Sequence, residues 1–189
     1  PKNALVFSSP LREITRVKPF PLLPLLALCG FTAFSALAAD SRQDFLKLID
    51  RPRVALDPKV EELPGTNGLA VFHFSFASDA TQRVPGFLVK STNALYGRPV
   101  VITLHGTGGS KTNMLALCRQ LAARGFIAVA IDGRYHGERS PGKGAYDAAI
   151  LRAWHEPGEH PFFYDTVWDV MRLVDYLETR DDVDPKRIG

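Results

Sequence analysis

Residues Val100 to Asn113 read V-V-I-T-L-H-G-T-G-G-S-K-T-N, and this stretch leaves the chain few ways to fold. Val100 to Leu104 are apolar or β-branched without alternation, as a parallel strand buried on both faces requires. His105 ends the run, Gly106, Gly108 and Gly109 follow, and a helical pattern begins at Ser110. Strand, glycine loop and helix in that order aim unbonded backbone N–H groups at one point, because the first N–H groups of a helix have no acceptor within it. Such a point suits a negative oxygen, in a phosphate cradle, a dinucleotide site or an oxyanion hole.

The glycine positions discriminate among these. A phosphate loop needs glycine directly before Lys111 and again five residues earlier; the residue before Lys111 is Ser110, and the upstream position is not glycine either. A dinucleotide fingerprint starting at Gly106 needs its third glycine at position 111, where Lys111 stands. The oxyanion reading fits His105-Gly106-Thr107-Gly108-Gly109 without forcing.

The rest of the chain reads as α/β. Leu69 to Phe76 alternates and predicts a strand; Val84 to Lys90 predicts another, at a sheet edge because Pro85 and Gly86 interrupt it. A helix is expected from Ser110 to Arg124, with Leu117, Leu121 and Met114 facing the core and Gly125 as its C-terminal stop. Phe126 to Ile131 predicts a second buried strand, completing a βαβ unit. After the polar loop Asp132 to Gly144 comes an irregular region in which Trp154, Phe162 and Phe163 are either core packing or pocket lining. A helix follows from about Asp165 to Arg180, with Val167, Met171, Val174 and Leu177 at helical spacing, Asp165 capping its first turn and Asp169 facing its positive end. Asp184-Pro185 reads as a turn and Arg187-Ile188-Gly189 as the start of a further strand.

Charge excludes one class of partner. The net charge of +3 resides before residue 39, where four basic residues and one acidic residue fall; the remainder carries 19 of each sign. No basic stripe remains, and no nucleic-acid partner is expected. Residues 1–38 read as a targeting segment: Arg12, Arg16 and Lys18 precede an apolar run, and Ala36-Leu37-Ala38 offers a cleavage site. Export to the periplasm or the extracellular space is the expectation. A membrane is expected only through that segment left uncleaved, as an anchor. Residues 39–67 read as an N-terminal arm, helical around Phe45 to Ile49 and then proline-broken, and residues 68–189 as the domain. Cys118 is expected as a packed core thiol. No metal is expected at His155-Glu156-Pro157-Gly158-Glu159-His160, because Pro157-Gly158 breaks the helix that would align the histidines. No cofactor is implied.

The strand ending in H-G-T-G-G, followed by helix, strand and Asp132-Gly133-Arg134-Tyr135-His136-Gly137-Glu138-Arg139-Ser140, resembles the N-terminal half of an α/β-hydrolase. It is most similar to the dienelactone-hydrolase-like, acetylxylan-esterase-like and prolyl-oligopeptidase-like serine esterases, over about Leu69 to Gly189. Many members carry glycine before this histidine and serine two residues after the second glycine, where Tyr135 and Arg139 stand here. The resemblance implies that the backbone of Thr107 and Gly108 forms the oxyanion hole, with His105, Gly106, Gly109, Asp132, Arg134 and His136 supporting it. It implies acyl transfer by a Ser-His-Asp triad on a small-molecule ester. The family's nucleophile sits in G-x-S-x-G, and no such motif occurs in these 189 residues. The expectation is therefore an α/β-hydrolase sheet with flanking helices, truncated before the nucleophile elbow and inactive alone. The parent would be an exported carboxylesterase, with a non-catalytic hydrolase-like binding protein as the alternative.

Overall fold

A computed structural model describes residues 41–93 and 96–189; the targeting segment expected at 1–38 lies outside the described residues. The apolar run at Val100–Leu104 forms the inner part of β4 (Arg98–Leu104), and the glycine loop leads into α2 (Lys111–Ala123) and then β5 (Ile127–Ile131). β4 and β5 pair in parallel, Val100 opposite Ile127 and Leu104 opposite Ile131. The helix between them ends as expected. Gly125 takes φ +98, the Gly125 N–H donates to Ala122 and the Phe126 N–H to Leu121, closing the last turn on a left-handed glycine.

Around this unit, β1 (Lys59–Thr66), β2 (Leu69–Ala77), β3 (Arg83–Ser91) and β6 (Val183–Ile188) complete a six-stranded mixed sheet ordered β1-β2-β3-β5-β4-β6. β1, β2, β3 and β5 are antiparallel in succession, and β6 runs parallel to β4. Helices α1 (41–49), α3 (Ala145–His155) and α4 (Phe163–Glu178) and a short 3-10 helix at Gly137–Arg139 complete the described elements.

β5 shows why both faces must be covered. Ile127, Val129 and Ile131 point to one side, into a cluster with Phe74, Phe76, Leu88 and the Leu173, Tyr176 and Leu177 of α4. Ala128 and Ala130 point to the other, where Cys118 and Ala122 of α2 pack with Val71 and Val89. Small side chains on that face let α2 approach closely. Cys118 is the packed thiol that its surroundings demand: it is fully buried, and burial raises its pKa despite a 3.4 Å contact with the Thr103 hydroxyl.

Several expectations are corrected. β3 is not an edge strand but lies between β2 and β5. Pro85 is tolerated there because Asp132 N–H donates to its carbonyl while Arg139 Nη1 reaches the Asp132 carbonyl, which faces a residue that has no N–H to give. Gly86 is required because a Cβ would stand 2.2 Å from the Phe74 ring. The arm contains the edge strand β1, and Asp184-Pro185 lies within β6 rather than in a turn. The buried stripe of α4 is Trp168, Asp169, Arg172, Leu173, Tyr176 and Leu177, leaving Val167 exposed. On α2, likewise, Leu117 is exposed and Cys118 and Ala122 take the core face.

Candidate active site

The loops after β4 and β5 lie side by side at the C-terminal ends of two adjacent parallel strands, where a doubly covered sheet places its ligand crevices. Two histidines join them reciprocally. His105, in the first loop, accepts the Gly133 N–H of the second at Nε2 (3.0 Å), and its Nδ1 lies 2.8 Å from the Gly106 carbonyl. His136, in the second, accepts the Gly108 N–H of the first at Nε2 (3.2 Å), and its Nδ1 lies 2.8 Å from the Arg134 carbonyl. Each ring accepts a backbone N–H at Nε2, which leaves Nδ1 to donate to the carbonyl beside it. The ring centroids are 4.8 Å apart.

This clasp fixes the direction of the turn between them. Gly109 N–H closes it onto the Gly106 carbonyl at 3.0 Å, and Gly108 occupies the left-handed region at φ +77. The Gly108 N–H is engaged by His136. The Thr107 N–H donates to no group among the described residues, and Thr107 is exposed.

Beneath the turn lies a buried charge pair. Asp132, at the end of β5, is fully buried and accepts the Lys111 N–H at Oδ1 (2.7 Å), the Lys111 ammonium at Oδ2 (2.7 Å) and the Glu138 N–H at Oδ2 (3.0 Å). The carboxylate caps the first turn of α2 from 21 residues downstream, filling the position a bound phosphate would need. Lys111 Nζ also reaches Glu138 (2.6 Å), which meets His73 Nε2 at 3.0 Å, and it lies over the Phe87 ring. His73 is therefore tied to a residue 65 positions away. Burial alone would raise the Glu138 carboxyl, but hydrogen bonds from Lys111 and His73 hold it below its ordinary value. Gly137 (φ +52) is needed where it stands, since a Cβ would lie 2.3 Å from the Asp132 carboxylate.

The second loop is anchored on its far side by Asp169 of α4, which is fully buried. Arg134 grips it with two bonds (2.9 and 3.0 Å) and Arg139 with a third (2.6 Å). Tyr135 adopts φ +63, the left-handed region that a glycine would enter freely. Its ring packs edge-on to Phe162 at 5.1 Å and its hydroxyl accepts from Arg152 at 3.1 Å, contacts that offset the backbone strain. The loop is thus anchored at Asp132, Arg134, Glu138 and Arg139.

The sequence matches the dienelactone hydrolase family over residues 84–189, more than half of the chain. The chain belongs to the dienelactone hydrolase family. Among solved structures, this family member is similar to a candidate acetyl xylan esterase from Bacteroides fragilis (TM-score 0.67, 15% identity, 78% of this chain and 44% of that one). It is also similar to acetyl xylan esterase 1 from a Thermoanaerobacterium species (0.65, 20%, 79% and 49%) and to the glucuronoyl esterase from Solibacter usitatus (0.51, 17%, 78% and 50%). At these identities the likeness is one of fold. The chain spans about half the length of each of these proteins. No curated protein sequence matches it.

In this dienelactone hydrolase family member a cavity of about 260 Å³ opens beside the turn, walled by His105, Thr107, His136, Tyr146, Phe162 and Phe163 among others. A second, of about 290 Å³, lies behind Phe162 and Phe163 and is lined only by apolar side chains, including Trp154. Phe162 is core and Phe163 and Trp154 are exposed. The structure brings His105, Gly106, Thr107, Gly108, Gly109 and His136 together around one turn, places Asp132 beneath it, and turns the Arg134 guanidinium away to α4. Three residues that sequence reasoning missed complete the site. Lys111 stands in the sequence only as a failed phosphate-loop lysine, yet its buried ammonium is the counter-ion of Asp132. Asp169 is the loop anchor, not a dipole partner. Tyr146 lies in a helix that no apolar periodicity announces: in α3 only Ala149 is buried.

Proposed function

We propose that this chain supplies the oxyanion-binding half of an exported serine carboxylesterase. The observation that carries the reading is the Thr107 N–H: among the described residues it has no acceptor, it is exposed at a cavity, and it sits in a loop clasped at Gly108 and Gly133. A donor fixed in advance stabilises the tetrahedral intermediate's developing negative charge without reorganisation. Esterases among the structural neighbours support small-molecule ester substrates. The nucleophile, acid and histidine of the triad belong to sequence outside these residues, which contain no G-x-S-x-G. Residues 1–38 serve as the export signal, cleaved after Ala38.

The decisive experiment substitutes Thr107→Pro in the full-length protein, which deletes the N–H while Gly106 and Gly108 stay in place. On p-nitrophenyl acetate, kcat/KM should fall about 100-fold or more, with an unchanged circular dichroism spectrum. A folded variant that retains wild-type turnover would overturn the reading. N-terminal sequencing of the exported protein should begin at Ala39.

A further inference from the structure

We infer that the phenol of Tyr146 is a second donor to the substrate oxygen that the Thr107 N–H binds, so that a side chain completes this half of the site. The inference rests on the reading of Thr107 given above. Among the described residues the Gly108 N–H is spent on His136, whereas the Thr107 N–H donates to no group, and a side-chain donor beside it would add to what the turn offers. Tyr146 enters from α3, a different element, and places its hydroxyl 3.4 Å from Thr107 Oγ1. That distance is long for a hydroxyl pair, and it is the hydroxyl's single polar contact among the described residues. The O–H therefore retains its capacity to donate.

Its position is fixed by packing. The ring stands edge-on to His136 (centroids 4.9 Å apart) and to Phe162 (5.4 Å), so one side is held by the clasp and the other by the cavity wall. Tyr146 walls the 260 Å³ cavity and also the cleft on the other side of the turn, which places it at the lip between them. An ester carbonyl oxygen approaching Thr107 N–H from the cavity meets the phenol at the same lip. The alcohol or acyl group then lies against Phe162 and Phe163. This geometry selects esters whose oxygen is reached from an aromatic-walled side, with a phenol able to donate to an oxyanion but not to replace a general base.

The test is a binding measurement on the full-length protein, which needs no turnover. Phenylacetate is the probe: its carboxylate stands in for the oxyanion and its ring for the group against Phe162. Titration of 15N-labelled protein at constant ionic strength should move the Thr107 amide resonance, and Tyr146→Phe, which keeps the ring contacts, should weaken binding about tenfold. A Thr107 amide that does not move in the wild type overturns the oxyanion reading itself. A Thr107 amide that moves with equal affinity in Tyr146→Phe overturns the role of Tyr146 alone. Should Tyr146→Phe fail to fold, the 13Cζ resonance of Tyr146 in the wild type decides: it shifts at saturation if the phenol donates, and a fixed resonance sinks the inference.

Discussion

At the scale of single residues, the site is built on positions where one atom more or one charge fewer cannot be accommodated. Gly137 is the sharpest case. Its φ of +52 strains any L side chain, and an added methyl would lie 2.3 Å from an Asp132 carboxylate already fixed by Lys111 and the Glu138 N–H. Neither side can retreat, so Gly137→Ala should cost more than about 2 kcal/mol in urea unfolding. Lys111 poses the converse problem. Its ammonium and the Asp132 carboxylate are both almost wholly buried, and removal of one partner strands the other in a low-dielectric interior. Lys111→Met should therefore destabilise by about 3 kcal/mol or more, whereas the double variant Lys111→Met with Asp132→Asn should recover part of the loss. A double variant no more stable than Lys111→Met would show that the pair is not what holds the loop. Both residues are visible in the sequence, but their pairing is not, because it joins a helix start to a strand end 21 residues apart.

At the scale of elements, legibility followed burial. β4, α2 and β5 could be read because a strand covered on both faces needs an unbroken apolar run, and Gly125 marks the helix end chemically. β1 could not, since seven of its eight residues are exposed and only Leu63 is half-buried, so it carries little apolar alternation. The wrong faces assigned to α4 have an electrostatic cause: Asp169 and Arg172 are buried through ion pairs, and a hydrophobicity pattern counts them as solvent-facing. β3 was misplaced for the opposite reason. Proline and glycine usually signal an edge, but here Arg139 serves the carbonyl facing Pro85, and Gly86 makes room for Phe74. The candidate loop was legible from its glycines alone, whereas the donors around it were not. Gly86→Ala tests the element directly: the new methyl would also lie 2.8 Å from the Ala130 carbonyl, at the β3–β5 seam. A loss of about 2 kcal/mol or more is expected by urea unfolding, and Val89→Ala should cost a similar amount by leaving a cavity against α2. If Gly86→Ala proves neutral, the central position of β3 is in error.

At the scale of the whole domain, acidic side chains hold the elements together, and this sets the direction of its pH dependence. Asp165 receives Arg51, which joins the segment after α1 to α4, and Arg53 and Arg172 reinforce that junction through Asp175 and the Val54 carbonyl. Asp79 joins the β2–β3 turn to Arg134. Asp182 binds Lys90 at 2.6 Å and Arg180 at 2.9 Å, joining β3 to the start of β6. In each, burial would raise the carboxyl, but hydrogen bonds win and hold it below its ordinary value: Arg51 for Asp165, Thr81 and Arg134 for Asp79, Arg180 and Lys90 for Asp182. Glu138 behaves likewise. A carboxyl whose folded value is depressed binds its proton more readily in the unfolded chain, so acid favours unfolding. The stabilisation is present in full above the ordinary carboxylate range and is lost as pH falls through the depressed folded values. The unfolding free energy should thus drop most steeply below about pH 4, as followed by urea unfolding at pH 7, 5, 4 and 3. Asp182→Asn should lower stability at pH 7 and flatten the acid limb, because the group that titrates is gone while Lys90 and Arg180 lose their partner. Unfolding curves that superimpose from pH 5 to pH 3, or an Asp182→Asn variant with an acid limb as steep as wild type, would show that these junctions do not couple protonation to the fold.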